Sequence, residues 1–352
     1  MLRPIRRIRG LDAELRQRLD SASVATAEAV LGLTRLELVA RLHLSAARVA
    51  ELVALVSADL APVPRTALEL WTARCGASAA AWLPTGIAEL DAAMGGGIPT
   101  GSLTELVGDS GVGKTQLCLT LTARVAREPG AGVIYIDTEG KFSASRLVEI
   151  ARGGAHTGEF NGSGSSGEGD SNAEIHAMAQ RVTVLQCSSC QELAAHVGDL
   201  ERLALERGAR LVVIDSIAAL ARREYSGALA ARQTMLSQQA TQLKALAEGL
   251  DLPIVVTNQL NGKRVSGADD AGIDTSLVPA LGNTWSHCIN SRIFLRRVGS
   301  AASEYSGAAS ARGGADADAV AAGEERSIAI VKSPIAGVFT TRFVLDGAGV
   351  HS

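Results

Sequence analysis

The chain has 352 residues, of which 47% are hydrophobic and 20% are charged, so it can form one large domain with a smaller one attached. Its net charge of -3 and its aromatic content of 3% exclude a polybasic nucleic-acid binder and an array of base-stacking aromatics. No apolar run long enough for a membrane span and no apolar leader is present, so neither a transmembrane helix nor a secretory signal is expected.

Residues 1–60 predict a small helical domain. Apolar side chains recur there at three- and four-residue spacings from Leu31 to Leu52, which indicates amphipathic helices. Ser45 stands where the N-cap of the last helix is expected, because its hydroxyl can accept a hydrogen bond from the first helical turn. Residues 61–85 contain prolines among scattered polar residues and are expected to form a linker.

Residues 86–346 predict an α/β core in which strand-like runs alternate with helical stretches. The strand-like runs are Ser102–Val107, Gly132–Asp137, Arg181–Gln186, Arg210–Asp215 and Pro253–Asn258. The helical stretches are about 114–127, 143–152, 190–207 and 228–249. This alternation favours a mostly parallel sheet that is covered by helices on both faces. The tail predicts antiparallel edge strands at Ile289–Val298, Ser327–Lys332 and Thr340–Leu345.

Two segments, near 153–172 and 299–325, interrupt the predicted core. Both are rich in Gly, Ser and Ala and contain almost no large apolar residues. Such segments bury too little surface to offset the entropy lost on ordering, so both are expected to be flexible insertions.

A phosphate-binding loop follows the first core strand and leads into a helix. Its residues fit the pattern G-x-x-x-x-G-K-[ST], and they are Gly108, Asp109, Ser110, Gly111, Val112, Gly113, Lys114 and Thr115. The glycines allow successive backbone N–H groups to point at phosphate oxygens, and the helix N-terminus adds a favourable partial charge. We expect Lys114 to reach the β- and γ-phosphates of ATP, and the Thr115 hydroxyl to bind Mg²⁺.

Three further strands end in polar side chains that suit nucleotide chemistry. Asp215 follows four apolar residues and is the expected Mg²⁺ carboxylate, because ligands of parallel sheets bind at the carboxyl ends of the strands. Glu139 either orients or deprotonates the attacking water or is an acid at a helix N-terminus. Gln259 follows the last core strand, where its amide can sense the γ-phosphate.

Several motifs in one order resemble the RecA-type recombinase core in its eukaryotic and archaeal form. They are GDSGVGKTQ, YIDTEGKFSASRL, LVVIDSIAAL, REYSG with ARQ, VVTNQ and LGNTWSH, and TGIAELDAAMGGGIPTGSLTEL leads into the first of them. The resemblance covers essentially 20–346 apart from the two insertions. It implies a RecA-like P-loop ATPase core behind a small helical domain, with ATP and Mg²⁺ as cofactors and a DNA-dependent ATPase activity that is weak in the isolated chain.

The resemblance also implies roles for individual residues at the nucleotide. Glu139, Lys114 and Gln259 would be catalytic, with Gln259 as the γ-phosphate sensor. Arg146 would stack on the adenine, and Asp215 would complete the nucleotide and metal site.

Two DNA loops are implied as well, one from about Arg222 to Ala231 and one from about Leu260 to Leu281. Their DNA-binding cations would be Arg222, Arg223, Arg232, Lys263 and Arg264. Taken by themselves, Arg222 and Arg223 are equally typical of a solvated helix end. The second loop also carries several aspartates, which argues against strong independent DNA binding.

Within this family the chain is similar to a paralogue of the B type. The similarity lies in ALGNTWSH at 280–287, in FSASRLVEIA at 142–151 and in Lys332-Ser333-Pro334. In recombinases proper an Asp precedes the Ser-Pro and the segment caps the ATP of the adjacent protomer, whereas here Lys332 would act on a neighbour's ATP. The Phe-x-x-Ala hook that joins recombinase protomers is also missing around Ser78–Trp82.

These departures favour a hetero-oligomer. The resemblance therefore implies an ATP-binding DNA-repair protein of homologous recombination, located in the nucleus. It would act with other recombinase paralogues, without a membrane, and assist the strand-exchange recombinase in assembling on single-stranded or branched DNA. The alternative is a strand-exchange recombinase that forms its own filament. A helicase- or clock-type hexamer on the same core is disfavoured by the helical N-terminal domain.

Two other sequence features do not indicate a single role. Cys187 and Cys190 have the CxxC spacing, but no second pair or suitably spaced histidine supplies the four ligands of a structural zinc site, so they are interpreted as ordinary thiols. His287 fits either the family's switch between nucleotide and DNA loop or a packed interface histidine.

Overall fold

The computed structural model describes residues 5, 8, 10–61, 64–76, 82–156, 168–264, 277–279, 281–298 and 326–352. The chain divides into two compact units, Met1–Gly76 and Ala77–Ser352. No helix in these ranges combines the length and hydropathy that a membrane span requires.

The N-terminal unit is helical, as predicted. Its helices are α1 (Ala13–Ser21), α2 (Ala27–Gly32), α3 (Arg35–Leu42), α4 (Ala46–Leu60) and α5 (Ala67–Gly76). Polar side chains fix where helices begin: Ser45 accepts a hydrogen bond from the Arg48 N–H at 3.3 Å, and Thr34 forms a capping box with Glu37. Apolar faces of α1 to α4 meet in one buried cluster. Helix α5 lies within the segment 61–85 that sequence analysis treats as a linker.

The second unit is built on a long twisted sheet. Its strands are β3 (Leu103–Gly108), β4 (Gly132–Asp137), β5 (Val182–Gln186), β6 (Ala209–Asp215), β7 (Ile254–Arg264), β8 (Leu277–Pro279), β9 (Ser291–Arg297), β10 (Arg326–Lys332), β11 (Phe339–Asp346) and β12 (Gly349–His351). The strand order is β12-β11-β10-β9-β3-β7-β6-β4-β5, with β8 paired to β7. Strands β1 (Trp82–Leu83) and β2 (Ile98–Pro99) form a separate antiparallel pair.

Helices cover both faces of this sheet, so the predicted fold class is confirmed. They are α6 (Ala88–Ala93), α7 (Lys114–Arg127), α8 (Ala144–His156), α9 (Glu168–Gln180), α10 (Cys190–Arg207), α11 (Ile217–Glu224), α12 (Leu229–Leu250) and α13 (Gly282–Cys288). One buried cluster packs α7 against one face and another packs α10 and α12 against the opposite face. Strands β3 and β4 are buried along their whole length, which explains the apolar run of β4; β3 buries Thr104 and Glu105 among its apolar residues.

The tail differs from the prediction at one strand. Strands β9, β10 and β11 pair antiparallel in succession, as predicted, but β9 also pairs in parallel with β3 and is therefore not an edge strand. The antiparallel part of the sheet begins with the pairing of β9 and β10. Both predicted insertions fall largely outside the described residues; α8 and α9 extend helical structure into the ends of 153–172.

Candidate nucleotide-binding site

The candidate site lies at the carboxyl ends of four neighbouring parallel strands. The register places Gly108 of β3 beside Gln259 of β7, and Asp137 of β4 beside Asp215 of β6. Strand β6 lies between β7 and β4, so the polar residues that end these strands share one edge of the sheet. This is the edge at which open α/β sheets bind ligands.

The phosphate-binding loop joins β3 to α7 and depends on glycine. Gly111 and Gly113 have φ of 77° and 113°, a region that residues with a Cβ rarely adopt. A Cβ at Gly108 would lie 2.5 Å from the Leu295 carbonyl oxygen of β9, so close strand packing also requires glycine there. The loop is therefore a backbone cradle in front of the α7 N-terminus, which suits phosphate.

Lys114 lies in this cradle as the first residue of α7. Its ammonium group donates hydrogen bonds of 2.7 Å to the carbonyl oxygens of Gly108 and Asp109. Burial lowers the pKa of this ammonium group, while the charges of Asp215, Glu139 and Asp109 oppose the shift. A bound polyphosphate would add the negative charge that a buried cation favours.

Asp215 is buried and accepts hydrogen bonds from three hydroxyl groups. The donors are Thr115 at 2.7 Å, Tyr135 at 2.9 Å and Thr257 at 2.5 Å. Burial and the nearby Asp215 carboxylate both raise the pKa of Tyr135, so this hydroxyl stays protonated and donates. A hydroxyl and a carboxylate in direct contact are hard oxygen donors of the kind that Mg²⁺ prefers, so the predicted metal pair fits the ion.

Glu139 and Gln259 meet across a cavity of about 570 Å³ beside the phosphate loop. The Gln259 amide nitrogen donates to Glu139 Oε1 at 3.3 Å, and Arg222 Nη1 donates to Gln259 Oε1 at 3.1 Å. The second carboxylate oxygen of Glu139 pairs with the Lys141 ammonium group. The structure thus brings together the predicted water-activating acid and the predicted sensor, and adds Lys141, which sequence analysis missed.

Asp137 holds the loop that carries Glu139. Its carboxylate accepts backbone N–H bonds from Glu139, Lys141 and Phe142 at 2.9–3.1 Å. The Thr138 hydroxyl donates to the Ser216 carbonyl oxygen at 2.7 Å and so ties this loop to the end of β6. Asp137 therefore positions the loop that carries Glu139. The sequence pattern of a strand that ends in acidic residues did not show that Asp137 and Glu139 have different roles.

Arg146 lies on α8 beside the phosphate-loop helix. Its guanidinium donates to the Gln116 side chain at 2.7 Å, to the Gly347 carbonyl oxygen at 3.2 Å and to the Asp346 carbonyl oxygen. It also pairs with Glu149 at 2.9 Å. The guanidinium plane is thus held in place next to α7, and it fastens the turn between β11 and β12 to α8.

The predicted DNA-binding cations are only partly brought together. Arg222 and Arg223 are exposed at the end of α11 and line the cavity that also contains Glu139. Arg223 donates to the Ser188 carbonyl oxygen. Arg232 is half-buried on α12. Lys263 and Arg264 have backbone positions at the end of β7, and their side chains lie outside the described residues.

A buried ion pair and the hydrogen bonds around it form a network that the sequence did not predict. Glu105 of β3 is fully buried and pairs with the Arg292 guanidinium of β9. Its other carboxylate oxygen accepts hydrogen bonds of 2.7 Å from Asn258 and from the indole N–H of Trp285. Arg292 also donates to the Ser286 hydroxyl at 3.0 Å. The network links β3, β7, β9 and α13, and Asn258 is the residue before Gln259.

Lys332 uses its charge within its own chain. Its ammonium group donates to the carbonyl oxygens of Ser286 and Ile289 at 2.7 and 2.6 Å, at the C-terminal end of α13. A cation at this end of a helix satisfies carbonyl groups that lack helical partners. His287 is exposed in the same turn.

The CxxC pair has the properties of ordinary thiols. Burial raises the pKa of Cys187 to about 11 and that of Cys190 to about 12, so both are protonated near neutral pH. In the described ranges no group of three or more His, Cys, Asp and Glu side chains is arranged to hold a metal ion.

Comparison with known proteins agrees with the predicted fold and family. A model of the Rad51 family matches residues 78–304, and a model of the XRCC3/RpoA-like helix-hairpin-helix domain matches residues 5–60. The chain is 33% identical to the mouse DNA repair protein RAD51 homolog 2 over 98% of its length and 96% of the relative, and 33% identical to the human protein over 93% and 83%. It is 31% identical to the archaeal DNA repair and recombination protein RadA of Cenarchaeum symbiosum (strain A) over 62% of its length and 51% of the relative. The family resemblance inferred from the motifs is therefore confirmed, and the chain belongs to the Rad51 family.

Proposed function

We propose that the chain is an ATP-binding DNA-repair protein of homologous recombination that acts in a hetero-oligomeric complex of recombinase paralogues. The observation that carries this proposal is the meeting of the phosphate loop, Asp215, Glu139 and Gln259 at one edge of the sheet. The printed names of relatives matched over most of the chain, DNA repair protein RAD51 homolog 2, support a role in DNA repair.

Residues 108–115 bind the triphosphate in this proposal. Backbone N–H groups of the loop surround the phosphate oxygens. The Lys114 ammonium group gives up its hydrogen bonds to two loop carbonyl oxygens and binds the β- and γ-phosphates instead. Thr115 and Asp215 would hold Mg²⁺, which would neutralise part of the phosphate charge. The fixed guanidinium plane of Arg146 supports the adenine by stacking.

Hydrolysis depends on Glu139 and Gln259. Glu139 orients the attacking water and accepts its proton, and Gln259 contacts the γ-phosphate. Both oxygens of Glu139 are engaged, one by Lys141 and one by Gln259, so in this arrangement they are occupied by protein partners instead of a water. We therefore expect a DNA-dependent ATPase that is slow in the isolated chain.

DNA binds at the helix end that carries Arg222 and Arg223, with Arg232 behind it on α12. Lys263 and Arg264 add charge where β7 ends. Arginine forks pair with phosphate oxygens without reading sequence, which suits single-stranded or branched DNA of any sequence. Such a protein acts in the nucleus.

The partners in this proposal are other recombinase paralogues and the strand-exchange recombinase itself. Lys332 is engaged by α13 of its own chain, and no Phe-x-x-Ala hook is present in the sequence around 78–82. A self-filamenting recombinase needs both a cap for the neighbour's ATP and a hook. The paralogue function is therefore better supported than the self-filamenting alternative.

Filament assembly on single-stranded DNA tests the proposal. The strand-exchange recombinase from the same cells is mixed with ATP, Mg²⁺ and single-stranded DNA, and filament length is measured by negative-stain microscopy. Adding this chain with its co-purified partners should lengthen the filaments, and the same preparation carrying Lys114→Ala should lengthen them less. Long regular filaments formed by this chain alone would favour the alternative.

A further inference from the structure

A chain of hydrogen bonds connects a predicted DNA-contacting arginine to the predicted catalytic carboxylate. Arg222 donates to the Gln259 oxygen at 3.1 Å, and the Gln259 nitrogen donates to Glu139 at 3.3 Å. All three side chains line the same cavity of about 570 Å³. A single amide thus lies between a cation on α11 and the acid that follows β4.

The orientation of this amide is set by Arg222. A side-chain amide has one accepting atom and one donating atom. The guanidinium only donates and the carboxylate only accepts, so both contacts form only when the amide oxygen faces Arg222 and the amide nitrogen faces Glu139. Loss of the Arg222 contact removes one of the two bonds that hold the amide on Glu139.

A DNA phosphate competes with the amide oxygen for the same guanidinium. Arg222 is exposed in the last turn of α11, immediately before the connection to α12 that carries the predicted first DNA loop. Bonds between an arginine fork and a phosphate are shorter and stronger than bonds to a neutral amide, because both partners are charged. Single-stranded DNA at this helix end therefore draws the guanidinium away from Gln259.

We propose that Arg222 is a positioning residue that couples DNA contact to ATP hydrolysis. Arg222 keeps the Gln259 amide on Glu139, and a DNA phosphate that takes the guanidinium releases the amide and frees one carboxylate oxygen for water. The inference rests on the proposed ATPase function and adds the physical link by which DNA would stimulate it. Arg222 then acts as a brake in the absence of DNA and as a DNA contact in its presence.

Steady-state ATP hydrolysis of the full chain, with and without saturating oligo-dT, tests the link. Arg222→Ala should raise the DNA-free rate about three- to tenfold, the range that corresponds to one net hydrogen bond, and should reduce the stimulation by DNA by a similar factor. Arg222→Lys keeps the charge but loses the fork. Its DNA-free rate and its stimulation by DNA should therefore lie between those of the wild type and those of Arg222→Ala. Arg202→Ala removes an arginine charge from the exposed face of α10 and should leave both rates unchanged. A DNA-free rate in Arg222→Ala that equals or falls below that of the wild type would overturn the proposal.

A second readout does not depend on hydrolysis. The side-chain amide resonances of Gln259 in ¹⁵N-labelled protein, assigned by their loss in Gln259→Glu, report the contacts of that amide directly. They should shift when oligo-dT is added to the wild type, and in Arg222→Ala they should lie near the DNA-bound wild-type position before DNA is added. Chemical shifts that do not change on addition of DNA, or that do not change in Arg222→Ala, would contradict the coupling. A wild-type chain that binds no ATP would instead contradict the proposed function, and the two failures are thereby distinguished.

Discussion

Replacing Arg292 with methionine should strongly destabilise the second unit. Glu105 is fully buried, and Arg292 supplies the only positive charge among its hydrogen-bond partners in the described part of the chain. Arg292→Met leaves that carboxylate in the core with two neutral donors, Asn258 and Trp285. Breaking a buried ion pair in this way costs about 3–5 kcal/mol, because one charge remains without compensation.

The same network predicts a graded series. Trp285→Phe keeps the ring in the core and removes one donor, which should cost about 1–2 kcal/mol. The double variant Glu105→Met, Arg292→Met buries no unpaired charge, although the Asn258 and Trp285 donors lose their acceptor. It should therefore be less destabilised than the sum of the single variants by about 2–3 kcal/mol.

Urea denaturation, followed by circular dichroism and by tryptophan fluorescence, measures the free energy of unfolding in this series. Arg202→Met is the matched control, because that arginine forms only exposed pairs with Asp199 and Glu206 in the described structure; its urea midpoint should remain near that of the wild type. Additive losses for Glu105 and Arg292 would refute the reasoning, since they would mean that the two charges do not stabilise one another.

Three further predictions concern other parts of the chain. Burial raises the pKa of Cys187 to about 11 and that of Cys190 to about 12, so both thiols should react slowly at pH 8. Peptide mapping after iodoacetamide treatment at pH 8 should show both largely unmodified in the native chain and modified in urea. Rapid modification of the native chain would show that they are reactive thiols. Deletion of 301–324 should leave the melting temperature and ATP binding unchanged. Arg297 and Arg326 are paired across β9 and β10, so the few residues that remain between them can close a hairpin. A large fall in melting temperature would show that the segment packs against the core. Arg223→Ala should raise the dissociation constant for oligo-dT and flatten its dependence on salt, whereas an unchanged salt slope would mean that this arginine contacts no phosphate.

The positions of the elements that form the candidate nucleotide site could largely be predicted from local sequence. The phosphate loop is a short continuous motif, and the helix after it begins at Lys114 and ends at Arg127, at the predicted bounds. The position of Asp215 at the end of a buried strand could be predicted because four apolar residues precede it. Local periodicity and a motif with a fixed geometry were sufficient for these elements.

Contacts between distant segments could not be predicted in the same way. Glu105 meets Trp285 and Arg292 across separations of 180 and 187 residues, and nothing in the surrounding apolar run marks it as the centre of a network. The hydroxyls of Tyr135 and Thr257 reach Asp215 only because the register of β4, β6 and β7 aligns them.

The position of β9 inside the sheet could not be predicted for a related reason. A strand that follows another without a recognisable helix is typical of an antiparallel pair. Strand β9 does pair antiparallel with β10, but its other side pairs in parallel with β3, a partner that lies far away in the sequence. The side-chain contacts of Lys141 and Lys332 were likewise not visible from sequence, since each depends on where a flexible side chain ends.

Binding of a fluorescent ATP analogue, titrated with and without Mg²⁺, tests the central claim most directly. Lys114→Ala should abolish measurable binding, because it removes the cation in the phosphate cradle. Asp215→Asn should weaken binding in Mg²⁺ by a larger factor than binding in EDTA, because Thr115 and Asp215, which are in direct contact, are the proposed ligands of the ion. Unchanged affinity in Lys114→Ala would contradict the assignment of the phosphate loop. Equal losses with and without Mg²⁺ in Asp215→Asn would show that this carboxylate is only a structural acceptor.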